Sequence, residues 1–172
     1  MEKRRARLKW ICYIAVILLL MLLETTVLRH VRILGSTPMA LVPYAVGVIA
    51  MLEGAFGGAA AGLAAGIISD AMLAPNEGFY TIVLVLCGTL IGLLCNVIFW
   101  KTYPVTLMYV VINMLFISAL YYVFFMLIFG QTNILPLLRG LPGEFLATLI
   151  FTPFVYLMLR GIYNRFRVYE ES

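Results

Sequence analysis

Apolar runs of about twenty residues follow one another along this chain with only short polar breaks, and nothing in it constrains the possible folds more. A helix that crosses the hydrocarbon of a bilayer needs about 20 apolar residues at 1.5 Å each. The runs lie at 8–28, 38–52, 55–74, 79–100, 105–129 and 143–162, which leaves little of the 172 residues for tails and loops. Apolar residues make up 64% of the chain and charged ones 12%, against roughly 25% charged in a soluble domain. A water-soluble fold of this length would leave much of that surface exposed as an aggregating patch. The expected fold class is therefore an all-α integral membrane protein, a bundle of six transmembrane helices forming a single membrane domain over residues 1–172.

Chemistry that needs a folded aqueous domain has no room here. The sequence contains no phosphate-binding glycine loop, dinucleotide fingerprint or zinc-binding helix. Cys12, Cys87 and Cys95 all fall inside apolar runs, without metal or thiol-pair spacing, and read as small buried hydrophobes. No metal, cofactor or catalytic residue is expected. The net charge of +4 comes largely from Lys3, Arg4, Arg5, Arg7 and Lys9, a cluster suited to membrane lipids of anionic headgroup rather than to nucleic acid. The first run is too long for a signal core and ends in Glu24, Thr25 and Thr26, not in a cleavage site, so it is expected to remain as an anchor.

Proline and charge set the expected boundaries and orientation. Pro38, Pro75, Pro104, Pro136 and Pro142 sit where helices are expected to begin or end, whereas Pro43 and Pro153 fall inside runs and predict bends. Short loops rich in Lys and Arg favour the cytoplasm. With the amino terminus inside, Lys3, Arg4, Arg5, Arg7, Lys9, Lys101, Arg160, Arg165 and Arg167 are cytoplasmic, and Arg29, Arg32 and Arg139 are external. Basic residues at both ends require an even number of crossings, so both termini are expected in the cytoplasm.

The most specific local pattern is Gly54, Gly58, Gly62 and Gly66, continued by Asp70 at the next step of four. Small residues at this spacing form a groove in which another helix can approach backbone to backbone. It serves either packing within this bundle, with Gly88 and Gly92 as a matching pair, or the helix of a separate protein. Asp70 and Glu24 are expected at similar depth near the external side, with Thr25, Thr26 and Ser69 nearby, in a polar hollow. There the two carboxylates either share a proton or separately reach the interface and pair with Arg29 or Arg32. Asn113 and Ser118 read as links between helices. Glu144 reads as a carboxylate at a helix amino terminus, Glu53 as solvated, and His30 as exposed. Trp10, Trp100, Tyr13, Tyr103, Tyr163 and Tyr169 read as an interfacial belt.

A basic tail, a first run closing on Glu24-Thr25-Thr26, then Glu53-Gly54, the Gly58-Gly62-Gly66-Asp70 series and Gly78 after a short break resemble the rod shape-determining MreD family over almost the whole chain. The resemblance implies a non-enzymatic subunit of the machinery that elongates the bacterial wall and helps maintain rod shape, located in the cell membrane. The implied partners are the single-span protein MreC, the actin-like MreB filament system, a SEDS-type glycosyltransferase and a class B penicillin-binding protein. The implied fold is similar to the substrate-binding subunit of energy-coupling factor transporters, which makes a vitamin-binding membrane subunit the alternative function. Such subunits carry small residues on their first span for docking, while here the 14–23 stretch is bulky apart from Ala15.

Overall fold

The computed structural model describes residues 2–28, 41–73, 78–97 and 135–167, with scattered positions between 108 and 123. All regular structure among the described residues is helical: α1 (Glu2–Leu23) with a π-helical turn Glu24–Leu28, α2 (Leu41–Leu73), α3 (Phe79–Val97) and α4 (Leu135–Arg167). Two helical stretches, Arg7–Thr26 and Leu41–Met72, are long and apolar enough to cross a membrane, and Phe79–Cys95 is a shorter apolar helix.

α2 is two helices joined at a corner. Gly54 has φ 82° and ψ −171°, a backbone conformation open to glycine and strained for other residues. Residues eight apart in a straight helix are about 12 Å apart, yet a Cβ on Gly58 would lie 2.5 Å from the methyl of Ala50. The chain therefore doubles back at Gly54, and the arms 41–53 and 55–73 form a hairpin. The first arm is the centre of the bundle, since every residue from Leu41 to Leu52 is buried. Around it pack Tyr13, Ile17 and Leu20 of α1, Ala61 and Ala65 of the second arm, Leu84 of α3, and Val155 and Leu159 of α4. Outward faces carry exposed Leu19 and Leu22 on α1, Ile82 and Leu93 on α3, and Ile150 and Leu157 on α4.

Two contacts set the direction of α4 against the first arm of α2. The Tyr44 hydroxyl donates to the Thr152 carbonyl at 3.0 Å. Further along both helices, Lys9 Nζ lies 2.8 Å from Glu53 Oε1 and 5.6 Å from the centroid of the Tyr163 ring. Nine residues of one helix, about 14 Å, thus run alongside eleven of the other, about 17 Å, in the same direction. The start of α1 and the end of α4 lie together at one end of the bundle.

Several expected boundaries shift. α4 runs 33 residues from Leu135, straight through Pro142, so Pro142 does not open the last helix and Glu144 lies well inside it rather than in its first turn. A proline inside a helix leaves the carbonyl one turn earlier without its helical donor. Pro43 is the third described residue of α2, where no intrahelical donor is needed, and Gly54 is the non-helical position inside that element. His30, Arg29, Arg32, Trp100, Lys101, Tyr103 and Tyr169, with Asn113 and Ser118, lie outside the described residues.

Candidate functional site

The glycine series faces α3 of the same chain. A Cβ on Gly58 would collide with the backbone of Gly88, on Gly62 with that of Leu84 and on Gly66 with that of Thr81, while Gly92 meets Gly54 and Ala55. Each step up the second arm of α2 meets a corresponding step back down α3, the signature of an antiparallel pair at backbone contact. Without side chains between them, the helices gain dispersion contact along their whole length, the principal source of helix association in lipid. The groove at Gly54, Gly58, Gly62 and Gly66 is thus occupied by the chain's own next helix.

Asp70 closes the far end of this pair. Its Oδ1 accepts from the Tyr80 N–H at 3.0 Å, and its Oδ2 accepts from the Thr81 N–H at 3.0 Å and from the Thr81 hydroxyl at 2.6 Å. The first turn of a helix has backbone donors with no partner of their own, and a capping side chain ordinarily accepts from the second and third residues. α3 begins after Gly78, whose carbonyl takes the first helical bond from the Ile82 N–H at 3.2 Å. Gly78 has φ 86° and no side chain to cap with. Asp70 supplies the cap from the neighbouring helix, and its charge meets the positive end of the α3 dipole.

Glu24 does not share this arrangement. The hydrogen bonds described for Asp70 go to Tyr80 and Thr81 of α3. Glu24 opens the π-helical turn and its Oε1 is shut off from solvent. Thr25 donates from Oγ1 to the Met21 carbonyl at 2.9 Å, with Leu22 O at 3.3 Å, satisfying acceptors that the widened turn disturbs. Ser69 is buried.

A second polar cluster sits at the opposite end, and sequence reasoning missed it. Glu53, expected in solvent, is largely enclosed: it pairs with Lys9 at 2.8 Å and accepts from the Tyr13 hydroxyl at 2.8 Å. Tyr13 is fully buried and stacks edge-on with Trp10 at 5.9 Å, so it belongs to the interior rather than to an interfacial belt. Only the adjacency of Glu53 to the Gly54 corner hinted at this, because the partners lie 40 or more residues apart. Cys12, Cys87 and Cys95 are free thiols, the last two buried. No group of three or more His, Cys, Asp or Glu suited to a metal ion occurs among the described residues.

No model of a known protein family, no curated protein and no solved structure matches the chain.

Proposed function

We propose that this chain is a non-enzymatic scaffold of the bacterial wall-elongation machinery, a six-span protein of the cell membrane with both termini in the cytoplasm, which binds an MreC-like single-span protein. The observation that carries this reading is the use made of the residues behind the MreD resemblance. Gly54 turns the chain, Gly58, Gly62 and Gly66 admit α3, Asp70 caps it after Gly78, and Glu53 ties the corner to α1. These two carboxylates hold helices to one another, which is the work of a scaffold. The adjacency of the first and last helix ends supports an even number of crossings, and the basic residues there support a cytoplasmic position. The arrangement of a transporter substrate-binding subunit remains part of this proposal as the fold analogue.

Because α3 fills the glycine groove, a partner helix meets one of the outward apolar faces instead. Photo-crosslinking amino acids at Leu19, Ile82 and Leu157, in cells expressing the full chain, test this against a single-span membrane protein with a coiled-coil segment. The expected result is a crosslink to that protein from one face, with loss of rod shape when the chain is depleted. Depleted cells that keep their shape, with no such crosslink from any face, overturn the proposal.

A further inference from the structure

We propose that the end of α4 carries a binding site for an anionic phospholipid, with the headgroup phosphate at Gly161 and an acyl chain along Leu157, Phe154 and Ile150. At 100° per residue, Ile150, Phe154, Leu157, Gly161, Asn164 and Arg165 fall on one stripe of the helix. All of them are exposed, with Leu157 at 67%, while Val155, Tyr156 and Leu159 are buried. The stripe changes character at Gly161: apolar side chains lie on one side of it and polar ones on the other. A Cβ on Gly161 would touch nothing within 4 Å, unlike those of the glycines between α2 and α3. This glycine is an open notch on an outward surface.

Cations flank the notch. Arg165 lies one turn beyond Gly161, and Arg160 immediately precedes it, held in place by a 3.2 Å bond from Nη1 to the Tyr156 hydroxyl and by its position 5.6 Å from the centre of that ring. Arginine's planar fork matches phosphate oxygens. Among the described side chains at this end the carboxylate of Glu53 is already committed to Lys9 and Tyr13, which leaves Arg160 and Arg165 to face the notch. An oriented arginine, an open backbone and an apolar track of tail length together fit one lipid, which requires both charge and hydrocarbon. The site depends on the chain being in a membrane and not on its being a wall-elongation scaffold.

The test uses the full chain purified in a mild detergent, with native mass spectrometry counting bound phosphatidylglycerol against phosphatidylcholine. Each cation at an anionic lipid contributes roughly fivefold, so the preference for phosphatidylglycerol is expected to fall about fivefold in R165Q and further in R160Q/R165Q. G161L keeps both charges, introduces no internal clash, and is expected to reduce bound lipid of either headgroup. Unaltered preference in R165Q together with unaltered binding in G161L overturns the site, even if R160Q does not fold. Loss of binding to an acidic peptide such as oligoglutamate, with lipid preference intact, also overturns it and assigns the arginines to a protein partner.

Discussion

Asp70 does for α3 what the residue before that helix cannot. Three bonds to one carboxylate, two from backbone N–H groups and one from the Thr81 hydroxyl, make the side chain a cap delivered across a helix pair. Removing an N-cap costs about 1–2 kcal/mol, so Asp70→Ala is expected to lower the thermal unfolding midpoint in detergent. Asp70→Asn, which retains one acceptor oxygen, is expected to fall between. Equal unfolding midpoints for Asp70→Ala and wild type would remove the cap from the account of this residue. Glu53 presents the complementary case. Lys9→Met leaves its carboxylate largely enclosed without its cation, a change that costs about 3 kcal/mol for a buried pair. Exchanging both partners for apolar residues in Lys9→Met/Glu53→Met is expected to recover part of that loss, measured by the same unfolding assay as a double-mutant cycle.

At the scale of elements, the hairpin of α2 and its partner α3 form the most tightly joined part of the described structure. Backbone meets backbone at Gly58, Gly62 and Gly66, where no added side chain has room. Gly62→Leu is expected to separate α3 from the second arm and to destabilise the fold severely, whereas Gly161→Leu, on an open face, is expected to leave the unfolding midpoint within a degree or two. Equal melting of the two variants would remove the groove from the packing. Gly54→Ala tests the corner itself: at φ 82° and ψ −171°, a region essentially confined to glycine, a side chain costs about 1–3 kcal/mol, read as a lower unfolding midpoint. The four-residue spacing of the glycines is readable from the chain as a helix-packing surface. Which helix fills it is not, because an intramolecular and an intermolecular partner require the same small residues.

For the whole molecule, the ends of the first and last helices meet through Lys9 and Tyr163. Single cysteines placed at positions 7 and 165, in a background with the native cysteines replaced, are therefore expected to react with a membrane-impermeant maleimide from the same side of sealed vesicles. Labelling from opposite sides would contradict the direction of α4. The central position of the 41–53 arm explains why its apolar residues lack a polar face: lined on all sides by other helices, it has neither water nor lipid to meet. α1 is more peripheral and buries a smaller share of its apolar residues than the Leu41–Met72 stretch.

The amino-acid sequence alone determined that the chain is helical and apolar enough for lipid, where the second and third apolar runs part and which face of the second arm is narrow, because composition and four-residue spacing are local properties. Only the tertiary structure decided where the polar groups go. Lys9, Tyr13 and Glu53 meet across 40 or more residues of chain, and Asp70 turns towards α3 rather than Glu24. A buried charge takes whatever donors the packing brings within reach, and that choice is made by the arrangement of helices, not by neighbours in the chain.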